Sequence, residues 1–210
     1  MTNRYMNRAI KFGTDGWRAI IAKEYTVEGV MRVTEGVAAW LKDNDLDRVV
    51  IGYDCRFGGL MFATATATVL CKSGIEVLLD KSFVSTPMVS LGVLKHQAGL
   101  GIVITASHNP PSYNGYKLKA KYGGPSVPKE IAEVEALIPD DTSFELATLQ
   151  ELEQTGKLSF INLEDMYVAH VRAYFDLPLI SKIQDKMAYD AMYGAGQNVI
   201  RRLFPKAKLL

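Results

Sequence analysis

The chain has 210 residues, a formal net charge of +1, and 48% hydrophobic against 22% charged residues. That balance suits a soluble globular protein long enough to bury a sizeable core. The near-zero charge speaks against a general nucleic-acid or membrane-surface binder, since both tend to carry a basic excess, but it leaves room for a local anion patch.

Cys55 and Cys71 stand apart from any other metal-ligating residues in the sequence pattern and read as free thiols in a reducing compartment. The polar start, Met-Thr-Asn-Arg-Tyr-Met-Asn-Arg, lacks the apolar centre of a signal peptide. No apolar run approaches the ~20 residues that span a bilayer. The expectation is a cytoplasmic protein with no membrane and no nucleic-acid partner; the sequence does not give its oligomeric state.

In chain order, Lys11-Phe-Gly-Thr-Asp-Gly-Trp-Arg18 reads as a glycine-rich turn. Its glycines let amides point at a ligand, and Arg18 adds a planar cationic fork suited to phosphate. An ordinary surface turn has equal claim. Residues 26 to about 42 form an amphipathic helix capped by Thr26. Residues 48–54 read as a strand buried on both faces. The turn Asp54-Cys-Arg-Phe-Gly-Gly59 follows, where Asp54 and Arg56 read as a local ion pair. A helix over 60–71, a strand over 75–80 and a helix over 86–97 with Pro87 in its first turn come next.

An apolar strand over 100–104 then opens onto the loop Thr105-Ala-Ser-His-Asn-Pro110. Residues 116–120 alternate like a half-exposed strand, read as an antiparallel edge. Pro128 begins a helix that Pro139 stops. Residues 140–158 lose periodicity, so the domain boundary is placed at 155. A further helix starts at Asn162, a strand spans 186–190, Gly194-Ala-Gly196 reads as a helix-opening turn, and a helix spans 199–204.

The alternation of strand and helix predicts an α/β fold, a mainly parallel sheet covered by helices on both faces. Residues 1–155 form this first domain. Residues 156–210 read as the truncated start of a second, similar α/β domain, since so few residues cannot close a doubly covered sheet.

Ser107 is the leading candidate for chemistry. It follows a buried strand, where an open α/β sheet places its sites. His108 is adjacent and can move protons near neutral pH. Lys117 follows the turn Asn114-Gly115, and Arg18 comes from a separate turn that can share the edge. A hydroxyl, an imidazole and two cations suit phosphate chemistry better than acyl transfer, for which Gly-x-Ser-x-Gly and a downstream acid–His pair are missing. His96 and His170 read as ordinary helix histidines.

Thr105-Ala-Ser-His-Asn-Pro110 resembles the active-site loop of the α-D-phosphohexomutases, the phosphoglucomutases and phosphomannomutases with their amino-sugar relatives. Phe12-Gly-Thr-Asp-Gly-Trp-Arg18 resembles the family's N-terminal signature. Asn114-Gly-Tyr-Lys117 resembles its post-loop motif, and Tyr189-Asp190 through Gly194-Ala-Gly196 the start of its second domain. Ala19 departs from a frequent glycine.

The resemblance implies a phosphoserine at Ser107. That group would exchange phosphate with a hexose phosphate through a 1,6-bisphosphate, glucose 1,6-bisphosphate serving as activator. Arg18 and Lys117 would contact phosphate or reacting oxygens, assisted by His108. It also implies one Mg²⁺, held by the Ser107 phosphate and by Asp residues of an Asp-x-Asp-x-Asp loop absent from this sequence. The third and fourth domains are absent too, so the chain alone is expected to be inactive. Tyr113-Asn-Gly-Tyr-Lys117 leans towards glucose or mannose, with a glucosamine-type mutase as the alternative. Two readings from other classes stay open: a serine hydrolase or phosphatase on Ser107 and His108, and a non-catalytic sugar-phosphate-binding module.

Overall fold

The structure, a computed structural model, describes residues 10–13 and 16–210. Thr14 and Asp15 of the glycine-rich turn lie outside the described residues.

A six-stranded sheet organises the chain, in the order β1-β5-β4-β2-β3-β6. Its strands are β1 (Trp17–Ile20), β2 (Arg48–Tyr53), β3 (Glu76–Asp80), β4 (Leu100–Ile104), β5 (Tyr113–Ala120) and β6 (Leu158–Ile161). β4, β2, β3 and β6 run parallel; β5 is antiparallel to β4, and β1 to β5. Near-continuous apolar runs make β2 and β4 central strands, because both of their faces are covered.

The strand side chains alternate between two cores. Val49, Ile51, Val77, Leu79, Ile102 and Ile104 pack with α1 (Val27–Asp43) and α2 (Gly59–Lys72). α4 (Pro128–Ala136) lies against α1, and α5 (Leu149–Gln154) against α2. Val50, Leu78 and Val103 face the other way, towards α3 (Thr86–Lys95) and α6 (Leu163–Tyr174). Thr26 caps α1 by accepting from the Gly29 amide at 3.0 Å.

Three expectations are corrected. The strand expected over 116–120 starts at Tyr113 and is interior, because β1 emerges from the glycine-rich segment and covers its outer edge. Its alternating lysines looked solvent-facing, yet Lys117 and Lys119 are buried. Residues 140–158 are not featureless: they hold α5, opened by a Thr148–Glu151 capping box. And the sheet does not end at residue 155, since β6 pairs with β3 through Val77↔Leu158 to Asp80↔Ile161.

After β6, α6 covers the second face of the sheet. Leu163 lies so close to α3 that a Cβ on Gly92 would meet its Cδ2 at 2.6 Å. Buried Asp80 accepts from the Leu163 amide at 2.6 Å and the Ser82 amide at 2.8 Å, placing a carboxylate at the N-terminus of α6. α7 (Leu177–Ser181) and a single 3-10 turn at Gln184–Lys186 follow. Next come β7 (Ala188–Tyr189), α8 (Gln197–Leu203) and β8 (Lys208–Leu209). β7 and β8 pair in parallel as a separate two-stranded sheet. Val199, Leu203 and Phe204 join the same core as Val50 and Val84.

Candidate active site

At the C-terminal end of β4 the chain turns sharply. Thr105 and Ala106 stay buried, and Ser107 emerges exposed with φ 56°, in the left-handed region. Its hydroxyl lies 3.4 Å from Nδ1 of His108, itself exposed. Ser107 lines a cleft of about 560 Å³. The other walls are the turn after β2 (residues 54–57), the start of α3 (84–86) and the segment before α8 (192–195). Gly194 and Ala195 therefore face the serine, while Gly196 serves as the N-cap of α8.

Arg18 lies on β1 opposite Gly115, not in a turn. Its Nη1 donates to Oδ1 of Asn109 at 2.7 Å, which brings the guanidinium beside the Ser107 loop. Trp17 fixes this strand from below, stacked on Tyr25 with ring centroids 4.6 Å apart. Tyr25 in turn donates its hydroxyl to the Gly115 carbonyl at 2.8 Å. Buried among Tyr116 and Asp54, that phenol is pushed well above its ordinary pKa, chiefly by desolvation, so it stays a donor.

Lys117 is placed differently. It sits on β5 opposite Val103, near the loop but buried within the sheet. Its stem runs beside the backbone of Gly16, whose added Cβ would stand 3.0 Å from Lys117 Cγ. Like Arg18 and His108, it is not part of the cleft lining; what sets it apart is its burial. The structure thus brings Ser107, His108 and Arg18 to one edge, with Lys117 one layer inside.

Asp54 and Arg56 do more than shape their own turn. Arg56 Nη2 donates to the carbonyls of Ser107 and Asn109, both at 2.7 Å. Nη1 donates to those of Pro110 at 3.0 Å and Tyr113 at 3.1 Å. Its Nε faces Asp54 Oδ2 at 3.4 Å. Asp54 accepts from the Arg56 amide at 3.0 Å and from the Thr105 hydroxyl, and Thr105 Oγ1 accepts from the Ser107 amide at 3.0 Å. The signal in the sequence was topological: the turn after β2 and the loop after β4 follow adjacent parallel strands.

The donor set bears on Mg²⁺. Among the described residues no group of three or more His, Cys, Asp or Glu side chains could hold a metal ion. The described residues therefore do not supply the carboxylate ligands of the Mg²⁺ that the phosphohexomutase resemblance implies. Nor is any described helix long and apolar enough to cross a membrane.

Fold and site together define an α/β/α domain that presents a serine at the C-terminal edge of its sheet. Residues 9–145 match the family profile described as phosphoglucomutase/phosphomannomutase, alpha/beta/alpha domain I. The chain belongs to this family. A protein from Pyrococcus abyssi assigned as a phosphoglucosamine mutase is 33% identical over 157 residues, covering 75% of this chain and 33% of that protein. A phosphoglucomutase of Staphylococcus saprophyticus is 32% identical over 162 residues, covering 74% and 29%. A crystal structure from Thermus thermophilus, assigned as a phosphomannomutase, superposes with a TM-score of 0.86 at 32% identity, covering 96% of this chain and 45% of that one. The chain thus spans about a third of the length of these two curated relatives.

Proposed function

We propose that the chain is the phosphate-carrying part of a hexose-phosphate mutase acting on glucose or mannose phosphates, with Ser107 as the carrier. The observation that carries this reading is an exposed serine, held by its backbone at the edge of the sheet, with the Arg18 guanidinium bonded to its neighbour Asn109.

Transfer from a sugar bisphosphate forms the Ser107 Oγ–P bond and breaks the P–O bond to the sugar, and the serine proton ends on the sugar oxygen. The reverse step, on the sugar's other hydroxyl, completes a 1,6 exchange. Little covalent work falls to the protein in such a reaction; positioning and charge neutralisation dominate. A phosphoserine carries about −1.5 to −2 charges at neutral pH. Arg18 beside the loop and Lys117 behind it would oppose that charge. His108, 3.4 Å from the hydroxyl, would handle its proton.

A division into two domains belongs to this proposal, with the boundary moved from residue 155 to beyond β6, as does the expectation that these 210 residues alone complete no mutase cycle. A glucosamine-type substrate is the second reading, favoured by the match to the Pyrococcus abyssi protein.

The test is intact-mass and peptide mass analysis after incubation with glucose 1,6-bisphosphate and Mg²⁺. One added phosphate, mapped to Ser107, is the expected result. Sugar-phosphate binding with no phosphate gained would support a binding module and overturn the carrier reading. Release of inorganic phosphate would point to a phosphatase instead. Competition by glucose, mannose and glucosamine phosphates for the uptake ranks the substrates.

A further inference from the structure

We infer that Arg56 is a positioning residue: with Asp54 and Thr105 it closes a hydrogen-bonded ring that grips Ser107 by both of its peptide groups and holds it in the left-handed conformation. The inference rests on the carrier reading for its functional meaning but on geometry for its content.

The ring starts and ends at Asp54. One arm runs from the carboxylate through the Thr105 hydroxyl to the Ser107 amide. The other runs through the Arg56 amide and guanidinium to the Ser107 carbonyl. A non-glycine residue with φ 56° is strained, because its Cβ crowds the backbone. Such a residue persists where its surroundings over-determine it, and here both flanking peptide planes are tied.

Arg56 also answers a shortage that the loop's own sequence creates. Pro110 and Pro111 have no N–H, so the segment offers more carbonyls than amides. Its internal backbone-to-backbone bonds are few: the Asn109 amide to the Ala106 carbonyl and the Tyr113 amide to the Pro110 carbonyl, both 3.0 Å. The two Nη groups spread over four carbonyls supply the missing donors. A lysine, a point charge on a flexible stem, does not span them.

This sets Arg56 apart from a phosphate ligand. Each of its Nη groups is engaged by two backbone oxygens, and its Nε faces Asp54. Its work is to aim the Ser107 hydroxyl into the cleft while the sugar intermediate reorients.

The experiment compares wild type, Arg56→Lys and Arg56→Gly in phosphate-free buffer, reading amide exchange by NMR and phosphate uptake from glucose 1,6-bisphosphate by mass. In both variants the Ser107, Asn109 and Tyr113 amides are expected to exchange about tenfold to a hundredfold faster, the scale of one lost charge-assisted hydrogen bond. The amides of β2 and β4 should hold their protection. Millimolar guanidinium should restore loop protection in Arg56→Gly but not in Arg56→Lys, whose ammonium fills the space.

Uptake should slow by a similar factor without a change in the bisphosphate concentration at half-maximal rate. Unchanged loop protection in both variants overturns the inference. So does loss of β2 and β4 protection together with the loop, which would make Arg56 a general fold residue. If wild type takes up no phosphate, the carrier reading fails while the exchange data still decide the role of Arg56.

Discussion

Across the cleft the Ser107 loop faces the segment before α8, and both carry non-glycine residues in the left-handed region: Ser107 at φ 56°, Met192 at 47° and Tyr193 at 58°. The strain is alike, about 1–2 kcal/mol for each such residue, but the support differs. Ser107 is tied at its amide and its carbonyl by groups from two strand ends. The facing turn is held by local bonds: the Met192 amide to Asp190 Oδ1 at 2.8 Å and Gln197 Nε2 to the Gly194 carbonyl at 3.1 Å. Its large side chains are 80% and 91% exposed, so packing adds nothing to hold them. One wall is tied to distant strand ends. The other presents exposed apolar side chains on a turn held by local bonds.

The largest effect expected tests the wall tied to the strand ends. Ser107→Ala should abolish phosphate uptake and leave the melting temperature within about 2 °C of wild type, because an exposed side chain contributes little to folding. Among the described residues the hydroxyl's hydrogen-bond contact, at 3.4 Å to His108, is weak. A large drop in melting temperature would show that the hydroxyl, and not only the backbone, holds the loop.

Next comes the base of the same wall. A Cβ on Gly115 would stand 2.5 Å from the Thr105 carbonyl oxygen and 2.9 Å from that of Trp17. Both obstacles are backbone, so β5 must wedge away from β4 or β1. Gly115→Ala should destabilise by about 2–3 kcal/mol, as overpacking does, read from denaturant unfolding. It should also slow phosphate uptake, since the Arg18 and Ser107 segments meet at this residue.

A third, smaller effect separates the cleft from the core through the two thiols. Cys55 is exposed on the cleft wall, while Cys71 is buried in α2. Burial pushes the Cys71 thiol up from 9.0 to about 11, against an opposing pull from Lys157. The folded state therefore keeps the proton to higher pH than the unfolded chain, and stability falls as pH rises from near 9 towards 11. The loss should reach about 1 kcal/mol near pH ~10 and be missing from Cys71→Ala. Iodoacetamide on the folded chain should label Cys55 and leave Cys71 intact until unfolding.

How much of this could be read beforehand follows from the kind of interaction. β2 and β4 were legible because strands covered on both faces need unbroken apolar runs. β6 was not, since Leu-Ser-Phe-Ile is a short edge strand whose middle is partly exposed. The Thr148–Glu151 capping box could have announced α5 in the same stretch. β1 hid because a glycine-rich motif and Arg18 mask a four-residue strand that only pairing with β5 creates.

The serine loop showed in its own residues, but its support did not. Asp54 lies two positions from Arg56 and looked like its sufficient partner, whereas the carbonyls that matter come 51 to 57 residues later. Side-chain bonds to distant backbone leave no pattern in the local sequence. Lys117 misled for a related reason: alternation names which residues share a face, not whether a helix covers it.

The smallest effect is reserved for the locally held wall. If Met192 and Tyr193 carry strain that packing does not repay, glycine should be accepted there. Met192→Gly and Tyr193→Gly should each change stability by no more than about 1 kcal/mol, in the stabilising direction where relief of the left-handed strain exceeds the entropy that glycine loses. Ser107→Gly should behave the same way in denaturant, since its φ is nearly that of Tyr193. The two walls then part in function. Ser107→Gly ends phosphate uptake outright, whereas Tyr193→Gly leaves the serine competent and changes only the bisphosphate concentration at half-maximal uptake. Equal loss of uptake in both variants would mean that the exposed turn, too, is fixed machinery, and the contrast between the walls would fall.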